Sequence, residues 1–175
     1  MGVRIWANQL MIYAKDDPDF RTMAADFEAE DAMGMNKAEV AYSARDFPLI
    51  LNRYCNLKQI NVYTHGNVGY AHLDGGGLSA RNADDYLPAP HAGLFSGKGR
   101  VLFIGCNVGQ GMQGREFLIA AGQALLVNRG GFVGATNSRN FSPRGGLVDI
   151  YMPRWGNLRV IEFNAGGSVV NEKMF

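Results

Sequence analysis

The sequence predicts an α/β fold: a three-layer α/β/α sandwich with a mostly parallel central sheet, helices on both faces and a C-terminal β-hairpin. Three observations predict it. Short apolar runs of strand length alternate with stretches whose apolar residues recur at helical spacing, the order that a parallel sheet with right-handed crossovers requires. The run Val101, Leu102, Phe103, Ile104 is apolar at every position, as a strand covered on both faces is. No linker-like tract and no internal repeat interrupts the 175 residues, so 1–175 reads as one domain with a core of its own.

Taken in order, Leu10 to Tyr13 is a short apolar run consistent with a buried strand. Asp17 and Pro18 are start signals for a helix, and Phe20, Met23, Ala24 and Phe27 then fall at i, i+3, i+4 and i+7 on one face of it. "AEVAYSA" reads as a second strand. Phe47, Ile50, Leu51 and Tyr54 repeat the helical spacing, which places Cys55 on the apolar side of that helix as a core residue. "QINVYTH" is a third strand ending at His65. A glycine-rich passage and a short helix around "ARNADDYL" lead to the fourth strand, "GRVLFIGC". "QGREFLIAAGQALLVN" is a helix, with Phe117, Ala120, Ala121, Ala124 and Leu125 on one side, and "GGFVGAT" is a fifth strand. "GLVDIYMPRWGNLRVIEF" reads as two strands joined near Gly156-Asn157, the terminal hairpin.

Composition narrows the function classes. The chain is 47% hydrophobic and 19% charged, with a formal net charge of +1, which argues for neither nucleic acid nor a membrane surface as the main partner. No apolar run approaches the roughly 20 residues of a membrane span, and "MGVRIWANQL" lacks the apolar core of a signal peptide. The expected setting is the cytosol, or a larger protein exported by another route. Eight acids between Asp16 and Glu39 face Arg21 and Lys37, whereas five arginines between Arg129 and Arg159 face only Asp149. Both read first as solvated faces, and the basic one would also allow an anionic activator. Cys55 and Cys106 make no disulfide framework, and no zinc spacing or other metal motif is present, so neither a metal nor a cofactor is expected. Neither a GxSxG elbow nor a phosphate-binding loop is found, and Arg115 is too far beyond Cys106 for a cysteine phosphatase.

Chemistry concentrates at two strand ends, His65-Gly66 and Gly105-Cys106-Asn107. In open α/β sheets ligands sit outside the carboxyl ends of the strands. These ends belong to consecutive strands, so their tips are expected side by side. A thiol becomes a nucleophile as its thiolate, an imidazole can take the proton, and a helix start just beyond the cysteine favours the anion. A glycine after the histidine lets a carbonyl approach its backbone N–H, with the Cys106 N–H as the natural second donor. These are the parts of a cysteine hydrolase. Set against this, a lone strand-end cysteine is more often a buried small hydrophobe, and His72 and His91 have no partner pattern.

"VYTHGNVGYAHLDGGGLS" followed by "VLFIGCNVGQGMQGREFLIAAGQALLVNRGGFVGAT" resembles the caspase-like (caspase–hemoglobinase) fold of the clan CD cysteine peptidases. It is nearest to a bacterial branch with a hydrophobic–Ser-His-Gly strand and a hydrophobic–Gly-Cys-Asn strand, found in large surface or secreted proteins. The resemblance covers roughly residues 57 to 138. It implies that His65 is the general base or acid, Cys106 the nucleophile, and Gly66 with Cys106 the oxyanion donors. Thr64 stands where the branch has serine. In several characterised branches the residue two before the nucleophile is polar or acidic and reads the P1 side chain; here it is Ile104, which implies a small or apolar P1. Asn107 of the Gly-Cys-Asn motif, Asp74 in the glycine-rich turn, and Asn137 are the other expected substrate contacts; Asn137 opens "NSRNFSPRGG", which reads equally as a lid or specificity loop and as an exposed connector. The expected partner is a protein or peptide, either the parent chain or, for an effector or toxin domain, another protein. A binding scaffold that keeps the residues by descent, and a thiol-dependent amidase or transamidase, are the alternatives.

Overall fold

The computed structural model describes residues 3–15, 17–138 and 158–175. The chain runs β1 (Ile5–Trp6), β2 (Gln9–Ala14), α1 (Pro18–Ala29), β3 (Asn36–Ala41), and a single 3-10 turn (Ala44–Asp46) leading into α2 (Phe47–Asn52). It continues through β4 (Tyr54–Cys55), β5 (Leu57–Tyr63), β6 (His65–Asn67), β7 (Tyr70–His72), β8 (Leu78–Ser79), α3 (Ala83–Tyr86) and β9 (Phe95–Ile104). α4 (Gly111–Leu126), β10 (Gly131–Thr136), β11 (Leu158–Phe163) and β12 (Val169–Met174) complete it.

Among the described residues the main sheet has seven strands in the order β3-β2-β5-β9-β10-β11-β12. The first five are parallel to one another, and β11 and β12 are antiparallel to their neighbours. This is a mixed α/β fold with a mostly parallel sheet. Its core is a row of side chains in register across five strands: Leu10, Ile60, Val101, Val133 and Ile161, each no more than 1% exposed. A second row, Ile12, Val62, Phe103 and Ala135, lies two residues on and is equally buried. Phe117 of α4 meets Phe103 edge-on, with ring centroids 4.8 Å apart. Phe20 of α1 instead meets Tyr63, 6.1 Å away. Tyr63 follows Val62, so it points to the other side of the sheet, and the two helices meet alternate sets of side chains.

The sheet is built outward in both directions from β2. The chain first steps to β3 and then returns past β2 to β5. That reversal leaves the ends of β2 and β5 adjacent at a switch point, where α/β sheets place their ligands.

Three departures from the sequence reading have physical causes. The second helix ends at Asn52; Tyr54 and Cys55 pair instead with Ile5 and Trp6 in a short parallel ribbon. Cys55 is therefore half-buried, with its thiol facing the Ile5 carbonyl at 3.7 Å, and is not a core residue. Asn56 supplies the left-handed turn (φ 61°) that lets the chain leave β4 and enter β5. The C-terminal hairpin joins β11 to β12 through residues 164–168. Of the hairpin expected around Gly156-Asn157, the second arm is β11, and the first arm lies outside the described residues.

The charge clusters are also partly engaged. Glu39 takes the Tyr54 hydroxyl at 2.5 Å and Arg53 at 2.9 Å. Asp31 accepts from the Met33 and Asn36 amides. Arg129 donates to the Ala92 carbonyl, and Arg159 to the Gly111 carbonyl and to Glu172. The other three arginines of the basic segment lie outside the described residues.

His91 is structural: its Nε2 is 2.9 Å from the Tyr54 carbonyl. Burial first, then the charge of Arg4, holds it below the ordinary imidazole value, against the opposing effect of that hydrogen bond. A depressed value means that the folded state favours the neutral ring. The stability this contributes is present above the unfolded value, near 6.5, and is lost as pH falls through the folded one. Acidification from pH 7 to about pH 5 should therefore loosen the segment before β9. The Asn56 and Leu57 amides, which donate to Gly93 and Leu94, should exchange faster after correction for intrinsic rates. A His91→Gln protein should lose that pH dependence, and an unchanged profile in it would refute the assignment.

Candidate functional site

β5 ends at Tyr63, a buried tyrosine whose phenol is pushed up to about 12 by desolvation and stays neutral. The Thr64 N–H donates to the Ile104 carbonyl at 3.1 Å, which keeps the tips of β5 and β9 together beyond the last sheet pair. His65 does not end the strand as the sequence reading has it. It opens β6, the first strand of a small antiparallel sheet, β6-β7-β8. The turn at Val68-Gly69 folds the chain back so that His65 stands opposite His72 and Gly66 opposite Ala71. The glycine-rich passage is thus an ordered hairpin, anchored by the Gly69 N–H to the Val108 carbonyl at 3.1 Å.

The hairpin lies directly on the candidate nucleophile's backbone. A Cβ added to Gly66 would stand 2.5 Å from the Cys106 carbonyl oxygen and 3.0 Å from its nitrogen. One added to Gly105 would stand 2.6 Å from the Thr64 carbonyl oxygen and 3.3 Å from the His65 carbonyl carbon. Two glycines, one from each tip, therefore let His65-Gly66 and Gly105-Cys106 approach closer than any other pair of residues could. The sequence expectation of adjacent tips holds.

Cys106 is half-buried in a tight turn over residues 106–109. Asn107 sits in the left-handed region (φ 59°), a conformation that asparagine tolerates better than most residues. Its N–H donates to the Ser138 carbonyl at 3.1 Å, and its carbonyl accepts from Gln110 at 2.9 Å. The cap of α4 is Gln110, so residues 107–109 separate the thiol from the helix end. The macrodipole effect fades within the first turn, and at Cys106 it is weaker than the sequence reading expects.

His65 is held from the other side. Its Nε2 is 3.0 Å from Asp17 Oδ2. Asp17 is the N-cap of α1, and its Oδ1 accepts from the Asp19 and Phe20 amides at 2.8 and 3.3 Å. The two carboxylate oxygens thus do different jobs. The Phe20 ring, one turn on, lies 5.6 Å from the imidazole and also meets Tyr63. His65 itself is 67% exposed on its side chain, whereas Asp17 is mostly covered at 16%.

The other expected residues are distributed as follows. Thr64 and Asn107 are buried at the two tips, and Ile104 is buried in the sheet beside Tyr63. Asn137 directly follows β10, next to the Ser138 carbonyl that binds Asn107. Thr64 Oγ1, Asn107 Oδ1, Asn137 Oδ1 and Ser138 Oγ are all buried with no hydrogen-bond partner among the described residues. Four such atoms on three neighbouring strand tips are unusual, because each unmade bond costs about 1–3 kcal/mol. Asp74 is exposed in the turn after β7; that turn packs on Tyr42 and Ser43 beyond β3, three strands away from β9. Residues 139–157, which include most of the segment that Asn137 opens, lie outside the described residues. Among the described residues no group of three or more His, Cys, Asp and Glu is placed to hold a metal ion.

Two neighbours of His65 are not legible in the sequence. Asp17 was legible as a helix cap, but its contact with a histidine 48 positions later depends on strand order (65 − 17 = 48). His72, which has no partner pattern in the sequence, stands directly across the ladder from His65, with its ring 6.0 Å from Tyr70.

Fold and site together define a mixed α/β protein with a histidine and a cysteine on neighbouring strand tips. Residues 22–128 match the family described as a domain of unknown function (DUF4347). The matched span exceeds half of the chain, and the protein belongs to that family. The span takes in His65, Gly66 and Cys106 and leaves out Asp17 and Asn137. No curated protein matches the chain.

Proposed function

We propose that this chain is a cysteine hydrolase acting on peptide bonds, with Cys106 as nucleophile and His65 as its base. The observation that supports this best is the pair of glycines, Gly66 and Gly105, that lets the His65 tip lie on the Cys106 backbone. The proposed layering is the three-layer α/β/α sandwich of caspase-like peptidases, with α1 and α4 on opposite faces of the sheet.

In this reading His65 takes the thiol proton, and the thiolate adds to the scissile carbonyl carbon. The negative charge that develops on the carbonyl oxygen is met by the Gly66 and Cys106 N–H groups. The His65 imidazolium then gives its proton to the leaving amine, and the C–N bond breaks to leave a thioester on Cys106. Water, deprotonated by His65, hydrolyses the thioester and restores the thiol. Ile104 offers no charge to the P1 side chain, which supports a small or apolar P1. The substrate is a protein or peptide, either the parent chain or a partner of an effector or toxin domain.

The test is incubation of the wild type and Cys106→Ala with a peptide library, with and without polyanions and calcium, read by mass spectrometry. Cleavage that depends on Cys106 is the expected result. Its absence under every condition would leave the scaffold reading. The thiol can also be probed directly: at pH 6 iodoacetamide should alkylate Cys106 at least about a hundredfold faster than Cys55, and His65→Ala should remove most of that difference. Equal, slow labelling of both thiols would end the proposal.

A further inference from the structure

We infer that Asp17 is the positioning residue of the site, and that the first turn of α1 is the mount that fixes which nitrogen of His65 faces the thiol. The inference rests on the reading of His65 as the base for Cys106. An imidazole that is two-thirds exposed would, left alone, rotate freely about its side-chain bonds, and a general base must be held to act. Among the described residues, the nearest charged group to it is Asp17 Oδ2, 3.0 Å from Nε2. An ionised carboxylate only accepts hydrogen bonds, so the nitrogen facing it carries the hydrogen. Nε2–H therefore donates to Asp17, and the lone pair is on Nδ1, the nitrogen left to take the thiol proton. When it does, the charge appears on a ring already in contact with a carboxylate.

What makes Asp17 more than a surface ion pair is that its other oxygen is already engaged as the cap of α1. Its Oδ1 is committed to the Asp19 and Phe20 amides at the start of α1, and Pro18 at the first helical position fixes the backbone beside it. Swinging toward solvent would break the cap, a loss of about 1 kcal/mol, so the cap keeps the carboxylate pointed. Phe20, whose amide that cap holds, also touches the imidazole: its ring centroid lies 5.6 Å from that of His65 and 6.1 Å from that of Tyr63. One helical turn thus supplies a hydrogen-bond acceptor and an apolar wall to the same imidazole. Both come from the strand-end at the switch point next to β5, where the sheet order puts them.

Two variants separate positioning from helix capping. Asn is as good an N-cap as Asp, so Asp17→Asn keeps α1 while removing the charge; Asp17→Ser keeps the cap on a side chain too short to reach His65. The first readout needs no activity. Two-bond 1H–15N spectra of the wild type at pH 8 should show His65 protonated at Nε2, and protonation at Nδ1 would overturn the inference. The second is the rate of Cys106 alkylation against pH. Both variants should label about tenfold more slowly than the wild type at pH 6, yet within about twofold of it at pH 9, where any thiol ionises unaided. A helix that had merely been damaged would slow labelling at both pH values, and circular dichroism of the variants should match the wild type. Wild-type labelling in both variants at pH 6 overturns the inference. The failure of the hydrolase reading looks different: Cys106 would then be as slow as Cys55 in the wild type, whatever nitrogen of His65 carries the proton.

Discussion

Gly66→Ala should cost the protein its Cys106 chemistry by about a hundredfold or more while leaving it folded. The added methyl group would have to occupy space 2.5 Å from the Cys106 carbonyl oxygen and 2.5 Å from a Val108 methyl. Neither neighbour can give way cheaply. The carbonyl belongs to the turn pinned by the Asn107 and Gly109 amides to the Ser138 and Thr136 carbonyls, and Val108 is wholly buried. The two tips must therefore separate by several tenths of an ångström to about one, and misplacement on that scale is worth about a hundredfold in rate. The stability cost is that of overpacking, about 1–3 kcal/mol, which a domain of this size survives. The separation also withdraws the Gly66 N–H from the developing oxyanion, so turnover should fall further than alkylation, which makes no oxyanion. Gly97→Ala, in β9 with nothing within 4 Å of its Cβ, is the matched control and should change neither rate. Wild-type alkylation and turnover in Gly66→Ala would remove the structural basis for the hydrolase reading.

That experiment turns on a contact no local reading of the sequence shows. "THG" and "IGC" are visible as strand ends with glycines, and their consecutive order suggests neighbouring tips. Whether the glycines exist for turn geometry or for close approach depends on what crosses them. Gly69 is a turn glycine, with φ at 68°; Gly66 and Gly105 have ordinary backbone and are required by their neighbours. Asp17 makes the same point from the other direction. Its sequence signature, an acid before proline and an apolar period, specifies a helix cap and says nothing about the second oxygen.

The sheet was more legible than the connections, for a physical reason. Strands such as Val101 to Ile104 are buried on both faces, so their entire sequence is constrained to be apolar and stands out. The short ribbon pairing Ile5-Trp6 with Tyr54-Cys55 leaves no such trace. Two residues carry no period, and the helical spacing of Phe47, Ile50, Leu51 and Tyr54 spans the true end of α2. β12 is exposed at all six positions, so it carries no apolar signal either; the ladder with β11 and the pairing of Glu172 with Arg115 and Arg159 hold it.

The largest effect on the fold itself is expected at Gly131, where β10 begins. Gly131→Ala should destabilise the protein by about 3 kcal/mol or more, a large fraction of the roughly 5–15 kcal/mol typical of a domain. Two costs add. Gly131 has φ of 133°, a conformation in which a side chain costs about 1–3 kcal/mol. Its Cβ would also collide with the Gly99 carbonyl oxygen and stand 2.7 Å from the Gly99 nitrogen, forcing an overpacking cost of similar size. Gly99 cannot retreat. It is the register partner of Gly131 in the parallel ladder, its N–H donates to the Gly130 carbonyl at 3.0 Å, and Leu126 of α4 closes the space behind it. The strain therefore falls on the β9–β10 pairing that carries Val101 and Val133, two members of the buried row. Urea unfolding should show a lowered midpoint with an unchanged slope if the damage is confined to the native state. A loss under about 1 kcal/mol would mean that the first residues of β10 can shift without disturbing β9. Cys106, one residue past the end of β9, would then sit on a less rigid platform than the packing of Val101 and Phe103 implies.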